Sequence, residues 1–460
     1  MSSPCGLLLA TRIGVEVASS TMDGFTMRIN TVEIILYVLL GFGIVGTAFT
    51  SFQVLLGVAF LRYRSVRNVN KPAKIGERAG LSKAAGADTA GISLLCSAPP
   101  CDLPSGRTVG AVATPVRPRV SIIKPVSGIE DGLEMNLASF ANLAGPSYEL
   151  IISIAEPDDP ALPIIEKVLP LFVEGTVRVI IGGASRMDNP KVERLVAGAR
   201  RAAGDILLIS DSNVKVSRDY LVMTMREFED PGVGCTVNLF VGDQAVTPGA
   251  NLECLYILTF VLPGTILAAL AGVTCVVGKS MAVTRTVLEQ IGGFEAFARV
   301  LAEDQSIGLA VERAGYRVAL SPVVVHNVIE KRTVAGAIKR QVRWGKIRYS
   351  FSRLRYTAEF LCNPLPILVA ASILSGAAGL SAPAPILLIG SAVAVRVLQA
   401  ATMKYMTGAR LPAWSLALVP AQDCLQAVTQ FIPYFSKHVD WRGFRTRLGR
   451  DTQILEPRHV

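Results

Sequence analysis

Between Thr31 and Leu61 the only charged residue is Glu33, and that run constrains the protein more than any other stretch of its 460 residues. At a rise of about 1.5 Å per residue, a helix of this length more than crosses a hydrocarbon core of roughly 30 Å, so a membrane anchor is expected over 31–61. Arg62 and Arg64 follow directly. Basic residues collect on the cytoplasmic side, which puts the amino terminus outside and the rest of the chain in the cytoplasm, as an integral membrane protein with a cytosolic catalytic part. Residues 1–30 lack a basic start, apolar core and small-residue cleavage site, and read as disordered, with Met27 an alternative start.

Apolar residues make up 51% of the chain and charged ones 18%, a balance rich in apolar surface for a soluble enzyme. The net charge of +10 is uneven: Arg62, Arg64, Arg67, Lys71 and Lys74, and later Arg442, Arg445, Arg447 and Arg450, flank apolar segments. That is membrane-flanking charge, and without interleaved aromatic residues it does not point to nucleic acid. The eight cysteines form no Cys-x-x-Cys pair, and with only three histidines neither a zinc site nor a disulfide framework is indicated. Acid–base work falls to carboxylates.

Residues 65–116 have linker composition, with Ala98-Pro99-Pro100 and Pro115-Val116-Arg117-Pro118. From Arg119 the pattern changes. Val120–Ile123, Glu149–Ile154, Val177–Ile181 and Ile206–Ser210 are short β-rich runs separated by helical stretches such as Leu133–Leu143. Such alternation predicts an α/β domain with a mostly parallel sheet over 119–350. Within it Cys254–Gly278 carries no charge. If that segment spanned a bilayer, residues before and after it would be separated by the membrane. An apolar element lying against or dipping into the cytoplasmic leaflet, broken at Pro263-Gly264 and followed by a strand over 274–277, is expected instead. Membrane segments follow over 360–435, the last of them re-entrant or interfacial because it holds Gln422, Asp423, Gln426 and Gln430. Residues 436–460 form a basic tail.

The strand Ile206–Ser210 runs into Asp211-Ser212-Asn213. Ligands of open α/β sheets bind at the carboxyl ends of the strands, and a carboxylate there holds Mg²⁺ or Mn²⁺ beside phosphates. Alone, such a triplet is more often a turn. Glu156 and Asp158 after the second strand suit hydrogen bonds to a base or ribose, and equally a solvated turn. Glu303-Asp304 opens a helical stretch, where acidic residues are stabilising in any protein; the sharper expectation is that Asp304 is a general base. Arg340, Arg343 and Trp344 share a helical face: the guanidinium groups suit phosphate oxygens, and Trp344 suits either sugar stacking or the core.

Taken together, Ile123-Lys124-Pro125-Val126-Ser127-Gly128, Asp158-Asp159-Pro160-Ala161, Gly182-Gly183, Asn189-Pro190-Lys191, Ser210-Asp211-Ser212, Ala302-Glu303-Asp304 and Arg340-x-x-Arg343-Trp344 resemble the ceramide glucosyltransferases, a membrane-bound branch of the inverting GT-A glycosyltransferases. The resemblance covers about residues 119–350 and implies a GT-A domain that transfers glucose from UDP-glucose to the primary hydroxyl of ceramide. It implies a UDP-sugar donor, a lipid acceptor and the membrane as partners. It assigns Glu156, Asp158, Lys191, Asp211, Arg340, Arg343 and Trp344 to the nucleotide sugar, Asp211 also to the metal, and Asp304 to catalysis. Glu156 stands where these enzymes commonly have Asp, and the 65–116 insert exceeds the family layout. A related branch glycosylates hopanoids from UDP-N-acetylglucosamine, so another lipid acceptor, hopanoid or diacylglycerol, is the nearest alternative. A polysaccharide synthase would need more spans, and an NAD-dependent enzyme a Gly-x-Gly-x-x-Gly turn. A membrane-anchored nucleotide-sugar-binding protein without catalysis would have no need of Asp304.

Overall fold

The computed structural model describes residues 31–70, 95–96, 119–182, 187–377, 383–441 and 444–459. The expected disordered start at 1–30 lies outside them, as does most of the expected linker. The anchor is one helix, Thr31–Asn70, which runs beyond the expected end at Leu61. Ile35, Val38, Phe42, Val45 and Leu55 are exposed along it. This apolar face is turned away from the protein, and the helix's small residues take the protein contacts: a Cβ on Gly43 would collide with Leu368, and one on Gly57 with Met403.

The core is a nine-stranded sheet. In chain order its strands are β1 (Leu95–Cys96), β2 (Val120–Pro125), β3 (Tyr148–Ile154), β4 (Val177–Ile181), β5 (Ile206–Ser210), β6 (Val214–Lys215), β7 (Val233–Asp243), β8 (Ser280–Thr284) and β9 (Arg317–Val328). They lie in the order β1-β4-β3-β2-β5-β8-β7-β9-β6. β2 pairs in parallel with both β3 and β5, as the alternation of strand and helix requires, and every residue of β2 and β5 is buried. β8 runs antiparallel between β5 and β7. It therefore brings the chain back to the sheet edge where β5 ends, opposite Ser210.

The apolar stretch after residue 254 differs from expectation in two ways. It continues a single helix, Pro248–Leu270, through Pro263, and the strand that follows is Ser280–Thr284 rather than 274–277. Proline brings no N–H and crowds the carbonyl four residues back. The helix absorbs this in a wide turn over Ile257–Val261, and the Thr259 carbonyl accepts instead from Arg396 Nη1 at 3.0 Å. Because β7 and β8 are neighbours, helix and return loop form an excursion that leaves and rejoins one sheet. Asp211 and Asp304, before and after it, line the same cavity.

After the Arg343-bearing helix Val334–Phe351 come helices Pro364–Ala377, Pro383–Thr407 and Val419–Phe435. Among the described residues, Ile34–Arg62, Pro248–Leu270 and Ile386–Thr407 are long and apolar enough to cross a membrane. Val419–Phe435 buries Gln422, Asp423, Gln426 and Gln430 and exposes Val428, Phe431 and Phe435, so its polar face is turned into the protein. The expected basic tail carries strands of its own. Strands β10 (His438–Trp441), β11 (Phe444–Leu448) and β12 (Ile454–His459) form an antiparallel sheet.

Candidate active site

At the carboxyl end of β5 the strand gives way to Asp211, and two ammonium groups converge on it. Lys191 Nζ lies 2.8 Å from Asp211 Oδ1, and Lys279 Nζ 3.0 Å from Oδ2. Lys191 arrives on the first turn of helix Pro190–Arg201. Asn189 caps that helix by accepting from the N–H groups of Lys191 and Val192, and Pro190 at the first position gives up an N–H that would be unpaired anyway. Asn189-Pro190-Lys191 is thus a helix start that aims a lysine. Lys279 enters from the return loop just before β8 and also donates to Asn213 Oδ1 at 3.0 Å. Burial by itself favours a neutral Asp211, but the two lysines outweigh it and hold the carboxyl well below its usual range.

Behind this loop Lys124, wholly buried in β2, donates to the Asp211 carbonyl at 2.9 Å and to Ser210 Oγ at 3.3 Å, with its ammonium 4.0 Å from the centre of the Phe140 ring. Burial pulls its pKa down to about 7, against the attraction of Asp211 and Glu130. The lysine of the Ile123-Lys124-Pro125 motif therefore fixes the backbone on which Asp211 sits.

The two acids of Glu303-Asp304 have different surroundings. Glu303, 5% exposed, pairs with Lys191 Nζ at 2.8 Å through Oε1 and accepts from Asn189 Nδ2 at 3.3 Å through Oε2. It joins the helix carrying Lys191 to the one it opens, Glu303–Arg313. Asp304 accepts the Gly278 N–H in a very short hydrogen bond, and the Gln305 N–H at 2.8 Å. No cation is within salt-bridge distance of it among the described residues. Burial, then the charge of Glu303, raises its pKa to about 6, with Lys191 and the two backbone N–H groups pulling the other way. A carboxyl that ionises near neutrality and lines a cavity has the properties of a general base.

The cavity measures about 1180 Å³. Its lining includes Asp211, Lys191, Lys279, Asp304 and Arg343, and also the apolar Phe260, Val261, Leu267 and Ala268 of the Pro248–Leu270 helix, with the Arg348 guanidinium 5.2 Å from the centre of the Phe260 ring. Arg340 and Trp344 also border it, but both are committed to the protein. Arg340 Nε is 3.1 Å from the buried carboxylate of Glu253, and its guanidinium stands 5.5 Å from the centre of the Trp344 ring. Trp344 meets Phe240 edge-on at 6.3 Å and Tyr256 at 6.0 Å, so it fills the core as well as bordering the cavity.

Glu156 and Asp158 are exposed in the turn after β3, and neither lines the cavity. Their neighbour Asp159 is the residue that works there, accepting the Gly128 N–H at 3.0 Å and that of Ala161 at 2.9 Å. A divalent ion at Asp211 finds an occupied donor set. Both carboxylate oxygens and Asn213 Oδ1 already face ammonium groups. As arranged, the residues supply positive charge at that point themselves, and a divalent ion would have to displace Lys191 or Lys279 from Asp211.

Lys279 and the pairing of Glu303 are the features that reading the sequence missed. Lys279 follows a charge-free run and looks like a flanking charge, although its place just before the first residue of a buried strand was a signal.

A family model described as glycosyl transferase family 21 matches residues 103–454, and the chain belongs to that family. The fold is that of the GT-A glycosyltransferases. Among curated proteins, ceramide glucosyltransferase 3 of Caenorhabditis elegans is 26% identical over 265 residues, 56% of this chain and 56% of that protein. Ceramide glucosyltransferase 1 of the same organism is 27% identical over 237 residues, 51% of this chain and 50% of that protein. The ceramide glucosyltransferase of Komagataella phaffii is 32% identical over 109 residues, 22% and 21% of the two chains. The matches therefore span about half the length of the first two relatives, and less of the third. A solved structure of mannosyltransferase PcManGT from Pyrobaculum calidifontis, in complex with GDP-Man and Mn²⁺, aligns with a TM-score of 0.46 and 18% identity, covering 85% of this chain and 99% of that one.

Proposed function

We propose that the protein is an inverting lipid glucosyltransferase that moves glucose from UDP-glucose to the primary hydroxyl of ceramide at the cytosolic face of a membrane. The observation that carries this reading is the pairing, in one cavity, of a near-neutral carboxyl, Asp304, with a cluster of cations around Asp211. Asp304 takes the proton of the acceptor hydroxyl as its oxygen attacks the anomeric carbon, and the bond to the diphosphate breaks on the opposite side of the sugar. Lys191, Lys279 and Arg343 receive the growing charge of the departing diphosphate. One in-line displacement inverts the carbon and needs no covalent intermediate. The apolar side chains of Phe260, Val261 and Leu267 in the cavity lining suit the chains of a lipid whose head group reaches Asp304.

Membranes containing the protein are incubated with labelled UDP-glucose or UDP-N-acetylglucosamine against ceramide, diacylglycerol and a polyol hopanoid. Glucosylceramide as the product is the expected result. A hopanoid or diacylglycerol product would replace the acceptor, and donor binding without any product would leave only a binding protein.

A further inference from the structure

The carboxy-terminal sheet is attached to the loop that delivers Asp304. Where β11 turns into β12, Asp451 and Thr452 both take left-handed backbone conformations, with φ of 51° and 61°. That is unusual for any residue with a side chain and more so for a β-branched threonine. Such conformations persist where surrounding contacts demand them, and they gather at functional sites.

The contacts are specific. Thr452, fully buried, accepts the Leu301 N–H on its carbonyl at 3.0 Å and the Ala302 N–H on its hydroxyl at 3.2 Å. Ile454 donates to the Arg299 carbonyl at 2.9 Å, and Val300 bridges to Gln453. The segment immediately before Glu303 and Asp304 is thus held to the carboxy-terminal sheet by an isolated antiparallel bridge and the hydrogen bonds around it. Leu301 is packed with Val439, Leu448 and Ile454 in a small apolar cluster of its own.

Ile347 closes that cluster from helix Val334–Phe351, and Lys346 of the same helix donates to the His438 carbonyl at 2.5 Å. One small sheet therefore grips both the residues leading to Asp304 and the helix carrying Arg343. Ala302 begins the Glu303 helix without a side-chain cap, and the Thr452 hydroxyl fixes that position instead. Arg450 and Asp451 border the cavity.

We propose that the carboxy-terminal sheet positions the catalytic base, with Thr452 as the positioning residue; this rests on the assignment of Asp304 as that base. Thr452 touches no reacting atom. It acts through Ala302 on the distance between Asp304 and the acceptor hydroxyl, and on the exposure of Asp304 to Glu303, Lys191 and the Gly278 N–H.

The test compares full-length Thr452→Ala, Thr452→Ser and Asp304→Asn in kcat, donor KM, pH profile and melting temperature. Thr452→Ala is expected to lower kcat about tenfold, leave donor KM within about twofold and displace the acid limb of the pH profile, because a base moved by a fraction of an ångström loses its alignment. Thr452→Ser keeps the hydroxyl and is expected to restore both. Wild-type kcat and pH profile in Thr452→Ala, with Asp304→Asn inactive, overturns the positioning role while leaving the base in place. So does a loss that tracks melting temperature and is not restored by serine. Turnover retained in Asp304→Asn removes the base and this proposal with it.

Discussion

Gly278 and Asp304 are packed so closely that a Cβ on the glycine would stand 2.7 Å from both Cβ and Oδ2 of the aspartate. The glycine is not required by a left-handed backbone; it is required by space, because its N–H must reach the carboxylate. Gly278→Ala should therefore push Asp304 away while leaving the Lys191–Asp211–Lys279 cluster assembled. We expect kcat to fall by about a hundredfold, the usual consequence of roughly an ångström of displacement, with donor affinity changed far less. Steady-state kinetics with donor and acceptor varied separately decide it: equal losses in kcat and donor affinity would mean that the site as a whole has moved.

The ionisation of Asp304 gives activity and stability opposite pH dependences. A base works only when ionised, so kcat/KM should fall as the pH drops below about 6. An unfolded aspartate titrates near pH ~4. Between that value and about 6 the native state binds more protons than the unfolded chain, so stability is lost as pH rises through the window, and the cost is complete above it. Asp304→Asn removes the cost. It should abolish turnover, retain UDP-glucose binding and be more stable at about pH 7.5 by roughly 2–3 kcal/mol, with a higher melting temperature, but not at about pH 4. Melting curves at both pH values check the sign, and a variant that melts lower at the higher pH would mean that the Asp304 carboxylate is stabilised where it sits.

Lys279 and Lys191 share Asp211 but are not equivalent. Lys191 also balances Glu303, so its loss leaves the buried Glu303 carboxylate without its cation and Asp211 with Lys279 alone; Lys279 balances only Asp211 and is itself disfavoured by burial, which lowers its pKa. Lys279→Met should weaken donor binding about tenfold or more with the melting temperature little changed, as expected for one charge-assisted contact to phosphate. Lys191→Met should lose both binding and stability. With the positive charge supplied by the chain, chelation by EDTA should leave wild-type turnover standing. Calorimetric titration of UDP and activity with and without chelator measure these effects, and complete inactivation by EDTA would show that an ion displaces Lys279 from Asp211.

What the sequence made legible follows from what each residue has to satisfy. Ile206–Ile209 could be recognised because a strand buried on both faces has nothing but apolar residues to show, and the acid that ends it stands out. The strands β7 and β9, on the far side of β8 from β5, were not recognised. β7 carries Asn238 and Thr236, polar residues that look like loop composition, yet Asn238 is satisfied by Thr224 at 2.9 Å and by Ser280 at 2.7 Å, both distant along the chain. Asp304 could not be told from Glu303 by rules for helix starts, which favour acids at both positions; only the pairing of Glu303 with Lys191 separates them. The carboxy-terminal sheet was hidden by its charge. Arg445, Thr446, Arg447 and Leu448 alternate exposed and buried, the period of a strand, but the arginines give the segment the look of a membrane-facing tail.

The same difficulty conceals the fastening of the Pro248–Leu270 helix. Arg396, wholly buried on helix Pro383–Thr407, holds Asp423 through two hydrogen bonds of 2.8 and 2.6 Å and donates to the Thr259 carbonyl that Pro263 leaves without a partner. One guanidinium thus ties together three helices, one of which forms the apolar wall of the cavity. Asp423→Leu leaves that charge buried and unpaired and should cost about 3–5 kcal/mol. The double variant Arg396→Met with Asp423→Leu should recover most of the loss, yet stay about 1 kcal/mol short of wild type because the hydrogen bond from Arg396 to the Thr259 carbonyl is also lost. Melting in detergent micelles across the double-mutant cycle tests this. Strictly additive losses would mean that the two residues stabilise the helices independently, whereas the expected recovery would show that the wall of the cavity is held by a single buried pair.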